Sequence, residues 1–391
     1  MKCQLSCVEC GQTYAPLQVR YRCDCGGTLD VLHKDTALNQ VPLETFDRRL
    51  ASKLPADKSG VWRFREFILP VDETDICTRG EGNTGLYRSQ TLANYVGLSS
   101  IALKHEGENP TGSFKDRGMT VGITMAKKLG FERVAVASTG NTSASLAAYA
   151  AMVGLQAVIF IPNGQIALGK LGQALAYGAR TLQIDGDFDD AMALVESFSA
   201  NEGLYLLNSV NPFRIEGQKA IGFEILQDLD WRVPDWIVVP GGNLGNNSAI
   251  TKGMIELYEL GLIDRLPRVA VIQADGANPL HVAWTGGGAL QPQKAKTLAT
   301  AIKIGTPISF TKSLRGLRRV NGWVDSVSDD DILEAKAVVD SSGIGAEPAS
   351  CASIAGVRKM VRNGIIGASD KVVAVLTGHV LKDPGIVFDF K

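Results

Sequence analysis

The amino-acid sequence predicts an α/β fold in which helices cover parallel sheets on both faces. Two observations carry this prediction. From about residue 100 onward, short apolar runs rich in β-branched residues alternate with longer segments rich in alanine and leucine. The last candidate strand, 372–376, is a continuous hydrophobic run, as expected for a parallel strand buried on both faces. A chain of 391 residues is long enough for two or three such domains.

The elements can be placed in order along the chain. The candidate strands are 101–104, 134–137, 157–161, 181–184, 236–239, 269–273 and 372–376. The candidate helices between the first four of these strands are 118–129, 143–153 and 168–177. Ligands of open α/β sheets bind beyond the carboxyl ends of the strands. We therefore expect the chemistry in the polar segments that follow these strands.

The first 35 residues have a different composition and are predicted to form a separate small unit. Five of the seven cysteines lie within the first 25 residues. Four of them form two close pairs, Cys7, Cys10, Cys23 and Cys25. Four thiolates suit a tetrahedral structural zinc, which a unit of this size needs in order to fold. A ribbon without metal stays open as the alternative, and Cys3 is a further candidate ligand.

Charge and hydropathy favour a small-molecule partner. The formal net charge is -1, so there is no basic excess that would attract nucleic acid or a membrane surface. The first ten residues lack the apolar stretch of a secretory leader, and no apolar run approaches the ~20 residues of a membrane span. These features predict a cytoplasmic protein.

Residues 108–118 contain the first candidate catalytic group, Lys115. It lies where a candidate strand ends and a candidate helix begins. The positive end of a helix lowers the proton affinity of a lysine, and a neutral lysine amine can form an imine with an aldehyde. The alternative interpretation is a loop lysine that points into solvent.

Three later strand ends carry further polar groups. Residues 137–145 contain five hydroxyl side chains, which suit an anion such as a carboxylate but also suit an ordinary helix cap. Residues 240–246 form a glycine-rich turn of the kind that aims backbone N–H groups at a phosphate. Residues 376–384 include Thr377, whose hydroxyl can reach a ring nitrogen, and His379, for which a structural role is favoured.

Together with 208–219, 299–305 and 347–350, these four segments make the chain similar to the threonine synthases, which belong to the fold type II family of pyridoxal-phosphate (PLP) enzymes. The resemblance implies a fold like that of the tryptophan synthase β-subunit, with two three-layer αβα domains and the zinc-ribbon-like unit at 1–35. It implies a large PLP-binding domain of 36–98 and 215–391 and a smaller, mobile domain of 99–214.

The resemblance also implies roles for individual residues. Lys115 is the implied catalytic residue, which holds the cofactor as a Schiff base. The implied cofactor-binding set is Lys115, Asn141, Gly242, Asn243, Leu244, Gly245, Asn246 and Thr377. Within it, Asn141 faces the 3-oxygen, 242–246 wraps the phosphate and Thr377 meets the ring nitrogen. The implied substrate-binding set is Ser138, Thr142, Asn208, Ser209 and Arg214.

The implied activity is that of a carbon–oxygen lyase acting on phosphate, which converts O-phospho-L-homoserine and water to L-threonine and phosphate as a homodimer. Four places depart from the usual family pattern and put the pocket shape in question, namely Gly241, Leu244, Val380 and the run 343–346 before Glu347. Two alternatives stay open. One is cysteate synthase, which acts on phosphoserine and sulfite, and the other is a non-catalytic scaffold protein of the same fold. Arg214 also has an alternative interpretation, as an ordinary surface ion pair.

Overall fold

The computed structural model describes residues 2–34, 38–162, 168–186, 188–201 and 203–389. Residues 1 and 35, the ends of the predicted cysteine-rich unit, lie outside the described residues. The strands of the described part are β1 Cys3–Cys7, β2 Thr13–Tyr14, β3 Leu29–His33, β4 Leu86–Arg88, β5 Ala102–His105, β6 Arg133–Ala137, β7 Gln156–Pro162, β8 Arg180–Ile184, β9 Leu204–Leu206, β10 Trp236–Pro240, β11 Arg268–Ala274, β12 Trp323–Val327 and β13 Val372–Leu376.

The helices of the described part flank these strands in sequence. They are α1 Glu44–Leu50, α2 Pro55–Lys58, α3 Arg65–Ile68, α4 Gln90–Val96, α5 Lys115–Lys128, α6 Asn141–Met152, α7 Leu168–Ala176, α8 Phe188–Asn201, α9 Pro212–Glu216, α10 Ala220–Asp228, α11 Gly245–Glu259, α12 Pro279–Thr285, α13 Phe310–Arg319, α14 Asp329–Ser341, α15 Pro348–Arg362 and α16 Gly385–Asp389.

The elements predicted from periodicity are confirmed. Each of the seven candidate strands corresponds to a strand of the structure within two residues, and β13 matches the predicted 372–376 at both ends. The three candidate helices correspond to α5, α6 and α7, which begin up to three residues earlier than predicted. Burial explains the success, because β13 is buried at every position and therefore reads as an uninterrupted apolar run.

One compact unit comprises the described residues of Met1–Thr36, Arg48–Gly82 and Lys115–Gln218. It contains an antiparallel sheet of order β2-β1-β3 and a four-stranded sheet of order β8-β7-β6-β9. All pairings in the four-stranded sheet are parallel. Its strands β6 and β7 are buried almost throughout, and the side chains of the following helices α6 and α8 pack on this sheet.

The second compact unit comprises the described residues of Ala37–Asp47, Asn83–Phe114 and Lys219–Lys391. Its six-stranded sheet has the order β12-β11-β10-β13-β5-β4. The first five strands are parallel, and the short edge strand β4 runs antiparallel to β5. The core joins apolar side chains of β10, β11 and β13 to those of α4, α14 and α15.

This division differs from the domain boundaries expected from the resemblance. Strand β5 pairs in parallel with β13, so it belongs to the sheet of the second unit rather than to a smaller domain that starts at 99. Residues 48–82 belong with the first unit, where Trp62 Nε1 donates to Thr120 Oγ1 at 2.8 Å and Cys77 N donates to Thr124 Oγ1 at 3.0 Å. Both threonines lie on α5, so these hydrogen bonds tie the segment to that helix.

None of the helices in the described ranges has both the length and the apolar character that a membrane crossing requires.

Candidate active site

The glycine-rich turn 240–246 joins β10 to α11 in the second unit. Gly241 packs so closely on the neighbouring strand that a Cβ there would lie 2.4 Å from Val271 Cγ1. A Cβ on Gly242 would lie 3.0 Å from Ile302 Cα. Leu244, immediately before α11, adopts the left-handed conformation with a φ of 63°. This backbone path exposes the first N–H groups of α11 as an anion-binding turn.

Asn246 gives this turn an unsatisfied polar group. Its side chain is buried, and neither its amide nitrogen nor its amide oxygen has a hydrogen-bond partner among the described residues. A buried amide without partners costs free energy, and a ligand that hydrogen-bonds to it would offset that cost. Asn243 braces the turn, because its Oδ1 accepts from Ile308 N at 2.9 Å. Ser309, which the sequence did not single out, adds a buried hydroxyl that also lacks a partner in the described chain.

Thr377 lies directly after β13, and hydrogen bonds hold its segment on both sides. Phe114 N, one residue before Lys115, donates to Thr377 O at 3.0 Å, and His379 N donates to Gly112 O at 2.9 Å. On the opposite side, Glu347 N donates to Gly378 O at 3.0 Å. The backbone that follows β13 is therefore hydrogen-bonded to residues 112–114, which precede Lys115 in sequence.

The Thr377 side chain is buried and faces a second hydroxyl. Thr377 Oγ1 lies 3.0 Å from Ser350 Oγ, in the first turn of α15. Gly378 packs closely on the Glu347 carboxyl group, since a Cβ there would lie 2.5 Å from Glu347 Oε1. The sequence offered Ser350 only as part of a family segment and assigned it no role.

Lys115 is the first residue of α5 in the first unit, so it lies at a helix N-terminus as predicted. The next residue, Asp116, is buried and accepts a hydrogen bond from Ser145 Oγ at 2.5 Å. Ser145 belongs to α6, the helix that begins at Asn141. The start of α5 is thus tied to the helix that carries the predicted 3-oxygen ligand.

The turn 138–142 joins β6 to α6 and is more open than the glycine-rich turn. Ser138, Asn141 and Thr142 are half-buried. Ser138 Oγ accepts from Gly140 N at 3.2 Å, and Gly140 precedes α6 without a side-chain cap. Hydroxyl and amide groups therefore surround the N-terminus of a 12-residue helix, an arrangement that suits a carboxylate.

Asn208 has a different place from the one that the resemblance implies. Its Oδ1 accepts from Ala137 N at 2.9 Å, and its Nδ2 donates to Ala137 O at 3.0 Å. The side chain thus acts as one more residue of strand pairing at the end of β6. Because both amide groups are engaged, the structure favours a positioning role for Asn208 over contact with a substrate phosphate. The neighbouring Ser209 is half-buried.

Arg214 lies on α9, a short helix that Asn211 caps by accepting from Arg214 N at 3.1 Å. Close approach of α9 to α5 depends on glycine, since a Cβ on Gly118 would lie 2.5 Å from Arg214 O and 3.0 Å from Arg214 Cγ. Arg214 therefore packs against the first turn of the helix that Lys115 begins.

The guanidinium of Arg214 is buried without compensation. The residue is 1% exposed, and its Nε and Nη2 have no hydrogen-bond partner among the described residues. The surface ion pair considered as an alternative is therefore wrong. Desolvation by burial lowers the pKa of Arg214 to about 10, which leaves the group charged at neutral pH. Oε1 of the neighbouring Gln218, which the sequence did not single out, also lacks a partner in the described chain.

The four predicted cysteine ligands come together in the first unit. One ligand atom from each lies within 4.8 Å of the others, and the members of this cluster are Cys7, Cys10, Cys23 and Cys25. The closest sulfur pairs are 3.5 Å apart, far longer than a disulfide bond and close to the ~3.8 Å edge of a zinc–thiolate tetrahedron. Cys3 is not a member of this cluster.

Comparison with known proteins identifies the family. A family model described as "Pyridoxal-phosphate dependent enzyme" matches residues 77–378. The chain is 48% identical to the threonine synthase of Methanosarcina acetivorans over 98% of its own length and 93% of the relative's. It is 45% identical to the threonine synthase of Methanocaldococcus jannaschii, with 97% and 92% of the two chains covered.

This chain belongs to the threonine synthase family of PLP-dependent enzymes. Solved structures agree on the fold. The threonine synthase of Escherichia coli superposes with a TM-score of 0.75 over 99% of this chain and 90% of that chain, at 19% identity. Maize serine racemase superposes with a TM-score of 0.70 over 89% of this chain and 96% of that chain, at 18% identity.

The residues present fit PLP. An anionic phosphate would satisfy the buried amide of Asn246 and the N–H groups in the first turn of α11, which have no partner within the helix. Thr377 presents a buried hydroxyl, and Lys115 supplies the amine. The candidate residues fall into two groups. Lys115 shares the first unit with Ser138, Asn141, Thr142, Asn208, Ser209 and Arg214, whereas the turn 240–246 and Thr377 belong to the second.

Proposed function

We propose that this chain is a threonine synthase, which converts O-phospho-L-homoserine and water to L-threonine and phosphate. The observation that carries the choice of substrate is the buried, uncompensated guanidinium of Arg214 beside the first turn of α5. A buried cation without a partner is costly, and a phosphate is the ligand that a planar guanidinium binds best. A substrate without phosphate would leave this cost in place.

When bound, PLP supplies an electron sink that stabilises negative charge developed at the substrate. Lys115 Nζ would carry the cofactor in the resting protein and, when released, remove the Cα proton of the substrate. The same amine would then take a proton from Cβ as phosphate leaves from Cγ, after which Cγ gains a proton, water adds at Cβ and a proton returns to Cα. One base can serve these steps only if it is neutral on release, which the helix N-terminus at Lys115 favours.

The remaining residues would orient the substrate. Ser138 and Thr142, at the N-terminus of α6, would bind the substrate carboxylate, and Asn141 would meet the cofactor 3-oxygen. Arg214 would bind the substrate phosphate, with Ser209 as a further donor. Asn208 would act indirectly, by joining the segment that leads to Arg214 to the end of β6. The turn 242–246 would bind the cofactor phosphate, and Thr377 would face the ring nitrogen.

A structural zinc in the four-cysteine cluster is part of the proposal. The sulfur atoms have the spacing of a tetrahedral site, and a short antiparallel sheet gains most of its stability from such a metal. Tyr14 Oη lies 3.0 Å from Cys23 Sγ, where its hydroxyl can donate to the thiolate form that binds metal.

We also propose that the protein is a cytoplasmic homodimer. The dimer rests on the resemblance to the family. The seven cysteines of the chain are free thiols, as is usual for proteins of a reducing compartment. Size-exclusion chromatography with light scattering tests the assembly, and a monomer that remains active at catalytic concentrations would refute it.

The test of the function is product analysis with purified protein. O-phospho-L-homoserine is offered in one reaction, and O-phospho-L-serine with sulfite in another. Threonine and phosphate from the first reaction alone support the proposal. Turnover of the second alone would assign the chain to cysteate synthesis, the alternative that shares a phosphorylated substrate. A purified protein without the cofactor's visible absorption and without turnover in either reaction would favour the non-catalytic scaffold.

A further inference from the structure

Ser350 is the buried group directly behind Thr377. It lies in the first turn of α15 and is fully buried, and its Oγ is 3.0 Å from Thr377 Oγ1. Among the described residues, Ser350 is the one side chain hydrogen-bonded to the Thr377 hydroxyl. The direction in which the Thr377 hydroxyl donates its proton therefore depends on which acceptor the Ser350 hydroxyl donates to.

The direction of one contact is fixed by chemistry. Gly378 N–H donates to Ser350 Oγ at 2.9 Å, and a backbone N–H can only donate. Ser350 then has a single proton left to give. Two acceptors are in reach of it, Thr377 Oγ1 at 3.0 Å and Gly378 O at 3.3 Å.

The two choices have opposite consequences for Thr377. If Ser350 donates to Thr377 Oγ1, the Thr377 proton is free to be donated away from α15. If Ser350 donates to Gly378 O, Thr377 donates to Ser350 and can only accept on its other side. The shorter of the two distances favours the first arrangement.

We propose that Ser350 is a positioning residue that fixes Thr377 as a hydrogen-bond donor toward the cofactor ring nitrogen and so keeps that nitrogen unprotonated. This inference rests on the placement of Thr377 at the ring nitrogen in the proposed function. A donor hydroxyl stabilises a neutral pyridine, whereas an acceptor would stabilise a pyridinium. The contact from Gly378 N to Ser350 is made in both arrangements, so the shorter distance from Ser350 Oγ to Thr377 Oγ1 sets the direction of the relay.

The test uses holoprotein loaded with PLP that carries ¹⁵N in its ring, and its main readout is the ¹⁵N chemical shift of that nitrogen. Ser350→Ala and Thr377→Val are the informative variants. Ser353→Ala is the matched control, because Ser353 is equally buried one turn along α15 but donates to the carbonyls of Ser350 and Val375. Ser350→Cys, of similar size and with a weaker donor, replaces Ser350→Ala if that variant does not fold.

We expect the resonance of Ser350→Ala to move from the wild-type position toward that of Thr377→Val, while Ser353→Ala stays at the wild-type position. With O-phospho-L-homoserine, kcat of Ser350→Ala should fall about five- to tenfold with KM nearly unchanged, since one hydrogen bond is at stake. Ser350→Ala should have no further effect in the Thr377→Val background, because the relay acts through Thr377.

Two results would overturn the relay in distinguishable ways. If Thr377→Val shifts the resonance and Ser350→Ala matches Ser353→Ala, the relay is absent while Thr377 keeps its place. If Thr377→Val itself leaves the resonance unchanged, Thr377 does not meet the ring nitrogen, and that part of the proposed function fails together with the relay.

Discussion

Two strand-to-helix turns of this protein, both proposed to bind anions, differ in how far they are buried. The turn 240–246 is buried at nearly every position, and its path is set by tight contacts of Gly241 and by the left-handed Leu244. The turn 138–142 is half-buried throughout, and its hydroxyl groups bond mainly to their own backbone. The turn 240–246 is therefore preorganised without a ligand, whereas the turn 138–142 remains accessible to solvent.

This difference matches the two ligands that the turns are proposed to bind. A resident cofactor benefits from a rigid, desolvated turn, because preorganised donors lose little entropy on binding. A substrate must enter and leave in each cycle, so its turn cannot be sealed in advance. The cost of readiness is visible at Asn246 and Arg214, whose buried polar atoms lack partners within the described residues.

The largest expected effect is that of Lys115→Ala, which should reduce turnover but not the binding of PLP to the turn 240–246. Lys115→Ala should lower kcat by about 10³-fold or more, since it removes the general base and the covalent link to the cofactor. The turn 240–246 is untouched, so the variant should still bind PLP non-covalently. Stopped assays and equilibrium dialysis measure the two properties. Lys127→Ala, an exposed lysine on the same helix, is the control and should behave as wild type.

The next effect concerns the substrate phosphate. Arg214→Met should lower kcat/KM by about 10²-fold through KM, because a charge-assisted bidentate contact is lost. The same variant should raise the free energy of unfolding of the ligand-free protein by about 1–3 kcal/mol, because an unpaired buried cation is removed. Steady-state kinetics and urea unfolding check the two signs. An unchanged KM would show that Arg214 does not bind substrate.

Arg214 also sets an expectation for pH. Its pKa is lowered to about 10 by burial, so the guanidinium stays charged up to about pH 9 and loses its proton in the ligand-free protein as the pH rises further. Substrate affinity should therefore fall as pH passes 10. Between about 10 and the ordinary value of 12.5 the unfolded chain binds more protons than the folded one, so this group's contribution to stability rises with pH.

A smaller effect distinguishes the two turns directly. Asn246→Ala should weaken PLP binding about tenfold without lowering the stability of the apoprotein, because the amide lacks partners until the cofactor binds. Thr142→Ala in the other turn should raise KM for substrate and leave the affinity for PLP unchanged. Titration of the apoprotein with PLP provides the comparison. Equal losses of PLP affinity in both variants would contradict the division of roles.

The smallest effect on turnover is expected from the metal site. Loss of zinc should lower the melting temperature and raise KM about two- to threefold with kcat nearly constant. The reason is that the cysteine-rich unit contacts the segment that carries Arg214. Tyr21 Oη accepts from Leu206 N at 2.8 Å, before Arg214 in sequence. His33 Nε2 lies 3.3 Å from Glu216 Oε2, just after it. Metal analysis with Cys10→Ser checks this. A KM that stays constant after loss of zinc would show that the metal site does not influence substrate binding.

The sequence predicts the α/β class, seven of the thirteen strands and three of the sixteen helices of the described chain, and physical reasons explain what it misses. Parallel strands buried on both faces stand out as apolar runs, and helix starts stand out through turn-forming residues. Strand β9 is only three residues long, and β4 is an exposed edge strand, so neither gives a clear pattern. The expected start of the smaller domain at residue 99 differs from the structure. Strand β5 follows residue 99 directly in sequence, but it pairs with β13, more than 250 residues later.

The candidate site was predicted in part for the same reason. The three residues Lys115, Asn246 and Thr377 lie at strand ends or helix starts that the local sequence pattern predicts. The pairing of Asn208 with Ala137, the burial of Arg214 and the contact of Ser350 with Thr377 depend on tertiary packing. No local pattern reports these contacts. They decide which of the candidate residues can touch a ligand and which can only position another residue.

The most direct test of the central claim is turnover of O-phospho-L-homoserine in water enriched in ¹⁸O, followed by mass spectrometry of both products. Addition of water at Cβ with release of phosphate from Cγ predicts ¹⁸O in the hydroxyl group of threonine and none in the phosphate. Homoserine as the product, with ¹⁸O in the phosphate, would mean that the phosphorus–oxygen bond breaks. That result would contradict the proposed function.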